Sequence, residues 1–404
     1  MIVLQYLLSA LALMVWVPCM VLLVQVLAAL PRPGQGGPQS AVPQPNPIAA
    51  EPIQVCLLMP AHNEAGGIGP VLQALLPQLN QYTRLLVVAD NCTDNTADLV
   101  RAAAVAADGK VQVIERHNTA LRGKGYALDH GVQHLATTPP DVVLVVDADC
   151  TLLPGSIATL AQQCVASQRP IQALYLMQSP PGASLKTKLA EFAWVVKNQV
   201  RPLGYHRMGL PCQLMGTGMA FTWVHIRSAK LNTGHIAEDM QLGVELAQAG
   251  SPPQFCPQAL VTSYFPTAAD GINAQRTRWE HGHLGVIVSE LPRLLKLAIT
   301  SRNSHLLAMA LDLCVAPLAL LTLLVGGLLL ASAAIGIVPL VLSTVAFAML
   351  GVAGLLSWWS YGRQLISFRQ LSSLPWYVLA KVPLYFYFLA KRQTSWVRSK
   401  REGE

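Results

Sequence analysis

Asp147 and Asp149 stand one residue apart at the end of the apolar run 142–146. Along an extended chain, residues i and i+2 project to the same side, so both carboxylates face one small volume. Two carboxylates that close repel unless a cation neutralises them. Hard oxygen donors suit Mg2+ or Mn2+, which keep waters and accept phosphate oxygens as further ligands. Two aspartates capping a polar strand end would have the same spacing, so both readings stand on the pair alone.

Other acidic and basic residues fall at similar places. Asp90-Asn91-Cys92-Thr93-Asp94 follows the apolar run 85–89. A carboxylate at a strand end in a nucleotide-binding sheet can accept hydrogen bonds from a base or ribose, and Asp90 is the better placed of the two. Asp94 precedes a helix and serves equally as its N-terminal cap. Arg122-Gly123-Lys124-Gly125 opens another helix. Its glycines would let the backbone approach a ligand, and two cations at a helix N-terminus favour phosphate. An exposed basic loop has the same composition. Glu238-Asp239 begins a helix, where the macrodipole accounts for one acid. Group transfer onto a hydroxyl needs a base beside the attacking oxygen, and a carboxylate can supply it. In Gln275-Arg276-Thr277-Arg278-Trp279, positions 275, 278 and 279 share one helical face. Arg can clamp a pyrophosphate and Trp can stack on a sugar or an apolar chain; an interfacial helix uses the same two residues as anchors.

The elements that must hold these residues are legible from residue 54 onward. Short apolar runs at 55–59, 85–89, 111–114 and 142–146 alternate with helical segments at 68–79, 96–107 and 124–136. That alternation predicts a parallel sheet with helices on both faces. Ligands of such sheets lie beyond the carboxyl ends of the strands, where Pro60-Ala61-His62-Asn63-Glu64, the Asp90 loop and Asp147-Ala148-Asp149 fall. Further on, 183–200 reads as a helix and 215–219 as a glycine-bearing lead into a short strand. The segment 238–249 is an amphipathic helix, and 271–291 reads as a helix along a membrane surface.

Composition sets the surroundings. Of 404 residues, 52% are hydrophobic and 12% charged, whereas soluble domains carry roughly 25% charged residues. Residues 2–30 hold no charged side chain, and roughly 20 apolar residues cross a bilayer as a helix. A signal peptide would have a cationic start and a shorter apolar core, so an uncleaved anchor is expected. The segments 306–334 and 337–359 give two further spans, interrupted only by Asp312. Arg32, Arg293, Lys296, Arg302, Arg363 and Arg369 flank the spans on one side, which the positive-inside rule assigns to the cytoplasm. Six cysteines scattered singly between 56 and 256 read as reduced, space-filling thiols, with no paired spacing for zinc or disulfides.

Together, the 60–64 segment, the Asp90 loop, Asp147-Ala148-Asp149, Glu238-Asp239 and the 275–279 motif resemble glycosyltransferase family 2, over roughly residues 54–285. Ceramide glucosyltransferase and the catalytic domains of cellulose and hyaluronan synthases share that series. The resemblance implies an α/β GT-A fold, Rossmann-like with a mostly parallel sheet, facing the cytoplasm and flanked by transmembrane helices. It implies an inverting transfer in which Asp239 is the general base and Arg278 and Trp279 hold the pyrophosphate and the acceptor end. Glu64, Asp90, Lys124, Asp147 and Gln275 would bind the nucleotide sugar. Asp149, with Asp147, would hold Mg2+ or Mn2+, and Gly216, Thr217, Gly218 and Glu238 would lie on the acceptor side. Ala237 stands where the family commonly has threonine.

The expected organisation is an anchor at 1–30, a Pro/Gly-rich linker at 31–52 and a GT-A domain at 53–291. A transmembrane hairpin at 306–360 follows, then an interfacial aromatic segment and basic cytoplasmic tail at 361–404. The expected setting is the inner membrane, multi-pass, with a nucleotide-diphosphate sugar as donor and a lipid or lipid-linked saccharide as acceptor. Other polysaccharide-assembly proteins are possible partners; nucleic acid is not. Lys381, Pro375 and Pro383 disfavour a fourth span through 374–390. A processive polysaccharide synthase and a non-catalytic nucleotide-sugar-binding membrane protein are the rival expectations.

Overall fold

The structure is a computed structural model and describes residues 1–32, 52–266 and 269–390. Most of the expected linker and the basic tail beyond residue 390 lie outside the described residues. The chain forms two compact units. Residues 1–32, 179–211 and 276–390 belong to one, and 52–178 and 212–275 to the other. Of the expected domain over 53–291, residues 179–211 and 276–291 fall in the unit that holds the apolar helices.

The second unit is built on an eight-stranded sheet. Its first four strands are β1 (Val55–Ala61), β2 (Thr83–Asp90), β3 (Val111–Arg116) and β4 (Val142–Val145). They lie side by side and parallel in the order β3-β2-β1-β4. Parallel strands need crossovers, supplied by the helices Ile68–Leu75, Thr96–Val105 and Lys124–Leu135. Helices on both faces leave β1, β2 and β4 buried, which is why they read as apolar runs, while β3 at the sheet edge is partly exposed. The remaining strands are β5 (Thr151–Leu152), β6 (Ile171–Gln178), β7 (Met219–Thr222) and β8 (Gln254–Tyr264). β7 runs antiparallel between β4 and β6, β8 is parallel to β6, and β5 is antiparallel to β8. The sheet is therefore mostly parallel, as expected, with an antiparallel insertion at β7.

Two glycines make that insertion. Gly216 (φ +89) and Gly218 (φ +66) are left-handed, so the chain turns out of the loop into β7. Gly218 N–H donates to Val145 O at 2.9 Å and Gly218 O accepts from Ala173 N at 2.8 Å, which ties the turn between β4 and β6. A Cβ at Gly218 would stand 2.7 Å from Val261 Cγ2 and 2.8 Å from Ala173 Cβ. Gly218→Ala should therefore cost about 2–4 kcal/mol from backbone strain and overpacking together, read as a lower thermal midpoint of the purified protein.

In the first unit, Ile2–Ala29 and Ile337–Gly362 are each long and apolar enough to cross a membrane. The expected single span over 306–334 is two helices, Ser304–Leu313 and Leu318–Ala333, bent by 74°. Pro317 stands at the N-cap of the second of them and has no N–H to continue the first. Asp312, near that break, is buried with partners. Its Oδ1 accepts from Gln25 Nε2 at 2.7 Å and Arg201 Nη2 at 2.8 Å, while Arg201 Nε donates to Gln25 Oε1 at 3.2 Å. The 374–390 segment forms two short helices, Leu374–Leu379 and Val382–Ala390. Lys381 between them pairs with Glu280. The expected helices at 183–200 and 271–291 extend further: Leu185–Val195 runs through a π turn into Arg201–Arg207, and Ala269–Thr300 is a single helix.

Candidate active site

Lys124 is the first residue of its helix, placed there by Gly123 (φ +139) at the N-cap. Its ammonium pairs with Asp147 and donates to Gly216 O at 2.7 Å. Asp147 N–H donates to Thr217 Oγ1 at 3.1 Å, so the end of β4 is bonded to the glycine loop. A carbon added at Gly216 would stand 3.4 Å from Asp239 Oδ2 and 3.7 Å from Lys124 Nζ. Carboxylate oxygens of Asp147 and Asp149 and the Cys150 sulfur lie within 4.8 Å of one another. Residues far apart in sequence (124, 147, 149, 216, 217 and 239) thus gather at the carboxyl end of β4, with Glu238 beside Asp239.

Charge in this cluster is unbalanced. Burial works against the Lys124 ammonium, but Asp147, Glu238 and Asp239 outweigh it and hold the amine above its ordinary range. Asp147 is pushed up by burial and by Asp149 and Asp239, with Lys124 pulling the other way. Glu238 is pushed up to about 7 by burial, then by Asp239, against the pull of Lys124. One ammonium does not neutralise four carboxyl groups, and two aspartate oxygens side by side are the donors a hard divalent cation takes. The residues present therefore fit Mg2+ or Mn2+.

The Glu238 shift has a sign that can be measured. Its carboxyl is raised from 4.5 to about 7, so between those values the folded state binds more protons than the unfolded. Stability falls as pH rises through that window, and the contribution is gone above its upper end. Glu238→Gln should flatten this part of the pH–stability profile of metal-free protein, followed by thermal unfolding.

Asp90, expected at the nucleobase, is buried at the end of β2. Its Oδ1 accepts from Arg116 Nη1 at 2.6 Å and Asn91 Nδ2 at 3.0 Å. The Arg116 guanidinium lies over the Tyr126 ring, 5.4 Å from its centroid. Sequence reasoning did not name Arg116, although register pairs Asp90 with Arg116 across β2 and β3. A cation two residues beyond the 111–114 run was the available signal.

Asp94 braces the loops. It accepts from Thr96 N at 3.0 Å and from Ala65 N at 3.1 Å, so it holds the start of its helix against the loop after β1. Glu64 lies in that loop, its N–H donating to Thr96 Oγ1 at 2.8 Å. The glycine expected to admit a ligand, Gly125, instead admits protein: a Cβ there would lie 2.5 Å from the carbonyl oxygens of Leu231 and Thr233. That contact seats the segment leading to Glu238-Asp239 against the Lys124 helix.

Gln172 was also missed. Fully buried on β6, it donates to Thr217 O at 2.9 Å and accepts from Met215 N at 2.8 Å, gripping both sides of Gly216. Its signal was an amide inside an apolar run.

Gln275 closes the second unit, whereas Arg278 and Trp279, on the same Ala269–Thr300 helix, belong to the first. There Trp279 packs on Trp194 with ring centroids 4.8 Å apart. All eight cysteines are free thiols. Burial, then Asp149 and Asp147, push the Cys150 thiol well up, so it stays protonated.

Known proteins resemble this chain in sequence and in fold. The sequence pattern described as "Glycosyltransferase like family 2" matches residues 52–282. A "Probable glycosyltransferase YdaM" of Bacillus subtilis (strain 168) is 26% identical over 248 residues, 60% of this chain and 58% of the relative. The chain thus spans less than two thirds of that relative's length. The mannosyltransferase PcManGT from Pyrobaculum calidifontis, solved with GDP-Man and Mn2+, aligns with a TM-score of 0.57 at 17% identity, over 96% of this chain and 100% of that one. At such low identity the likeness establishes the fold, which is GT-A. With its family pattern running through most of the sheet and every loop of the cluster, the chain belongs to glycosyltransferase family 2.

Proposed function

We propose that this chain is an inverting glycosyltransferase. It moves a sugar from a nucleotide-diphosphate sugar, with a UDP-sugar favoured, to a membrane lipid or lipid-linked saccharide in glycolipid or exopolysaccharide synthesis. The observation that carries the reading is the cluster around Gly216, where Lys124 and four carboxyl groups converge at the end of β4.

Asp239 takes the proton of the acceptor hydroxyl as its oxygen attacks the anomeric carbon opposite the leaving diphosphate. The bond from that carbon to the diphosphate oxygen breaks, and the configuration inverts. Asp147 and Asp149 would hold Mg2+ or Mn2+, which when bound neutralises charge developing on the diphosphate. Lys124, paired with Asp147, keeps its proton throughout, oriented by Gly216 O. Asp90, held by Arg116, is offered to the nucleobase. Glu64 and Gln275 are assigned to the donor side, Gly216, Thr217, Gly218 and Glu238 to the acceptor side, and Arg278 and Trp279 to the pyrophosphate and acceptor end. The PcManGT complex, which holds GDP-Man and Mn2+, supports a nucleotide-sugar donor and a divalent metal here. The two helices able to cross a membrane and the one-sided cations support an inner-membrane enzyme whose catalytic unit faces the cytoplasm.

The test uses the full chain reconstituted in vesicles of bacterial lipid, offered a panel of UDP- and GDP-sugars, with products read by mass spectrometry. A lipid carrying one added sugar, formed from one donor, is expected. Donor turnover unaffected by the presence of lipid would overturn the membrane acceptor, and a ladder of long chains would mean a processive synthase.

A further inference from the structure

We propose that Cys150 is a positioning residue for Asp149: its S–H donates to Asp149 Oδ1 and fixes that carboxylate for a divalent cation. The proposal rests on the metal reading above and deepens it.

Cys150 is 1% exposed, and its position in an apolar chain suggests a filler. Its surroundings are not those of a filler. Sγ lies 3.2 Å from Asp149 Oδ1 on one side and 4.0 Å from the Tyr175 hydroxyl on the other. That hydroxyl lies 2.9 Å from Ser263 Oγ. Tyr175 is on β6 and Ser263 on β8, and register places Ser263 opposite Met177, two residues along from Tyr175. Cys150, from the turn between β4 and β5, thus lies between the Asp149 carboxylate and the buried Tyr175–Ser263 hydrogen bond.

The thiol has one proton, and of its contacts to Asp149 Oδ1 at 3.2 Å and the Tyr175 hydroxyl at 4.0 Å the shorter takes it. The acceptor there is charged, which strengthens the bond, and the Thr217 side chain also bonds the thiol. Asp149 is only partly buried, and Asp147 beside it repels it. A donor at Oδ1 restrains the rotation of its carboxylate away from Asp147. Held at Oδ1, it stays beside Asp147, and the two carboxylates together would hold the cation. In known metal sites such outer partners typically contribute about tenfold to a hundredfold in affinity.

A thiol can also act as a direct metal ligand, and the two roles separate by substitution. Serine keeps a donor of similar reach but is a poor soft ligand; alanine keeps neither. The experiment measures Mn2+ binding to the purified full chain by the electron paramagnetic resonance signal of free Mn2+, with Mn2+ alone and with UDP or GDP added. Cys150→Ala should weaken Mn2+ binding about tenfold or more, with metal-free thermal stability little changed. Cys150→Ser should return most of the affinity, and Tyr175→Phe should give a smaller loss than alanine. Serine as damaging as alanine would overturn the positioning role in favour of direct ligation. Alanine within twofold of the native protein would overturn it while leaving the metal site intact. A native chain that binds no Mn2+ under any of these conditions would remove the metal reading itself.

Discussion

Asp239→Asn should lower kcat about a hundredfold to ten-thousandfold, the range for losing a general base, with donor binding close to unchanged. The amide keeps the shape of the side chain beside Gly216 but does not accept the acceptor's proton at neutral pH. Lys124 keeps Asp147 as its partner, so the loop should remain in place. Initial rates and donor calorimetry on the same preparation separate the two effects. Glu238→Gln is the companion measurement. Glu238 is held close to neutrality by its surroundings, which suits it to support its neighbour, so its loss should be the milder one. If Glu238→Gln proved the more damaging and Asp239→Asn nearly silent, the two roles would be exchanged.

Asp149→Asn should be at least as severe, reducing turnover about a thousandfold or more. Metal stabilisation of developing charge is worth several kcal/mol, and each 1.36 kcal/mol is about a tenfold change in rate. The side chain lies at the rim of the sheet and is partly exposed, so the fold should survive; an unchanged thermal midpoint checks this. Excess Mn2+ should not restore the variant. Native activity that persists in excess EDTA would sink the metal assignment.

β1, β2 and β4 were legible because burial makes each an apolar run, whereas β3, a partly exposed edge strand, showed only as Val111, Val113 and Ile114. β8 was not legible. It contains Pro257, which ordinarily argues against a strand, and the structure absorbs it as an irregularity: register jumps from Cys256 to Leu260 opposite Ala173 and Leu174. The 306–334 span read as one helix because hydropathy does not register the single missing N–H at Pro317. At the site, the acids were legible as residue types at strand ends. Their supports were not, because Gln172 and Arg116 act through contacts between strands distant in sequence. The glycines at 123–125 drew the right attention for the wrong reason: Gly125 makes room for the 231–233 backbone.

The polar contact among Gln25, Arg201 and Asp312 has a consequence for how the protein is made. Gln25 and Asp312 are 287 residues apart. At typical synthesis rates, roughly a quarter of a minute to a minute separates their emergence from the ribosome. Throughout that interval the first helix carries an amide, and later a nearby arginine, whose carboxylate partner does not yet exist. An amide in lipid is tolerable alone, whereas a buried guanidinium is not. The Arg201 guanidinium is therefore expected to stay hydrated until residue 312 has been translated. On that reading the first unit closes around Arg201 only once the broken helix is made, with the helix Ile337–Gly362 still to follow it.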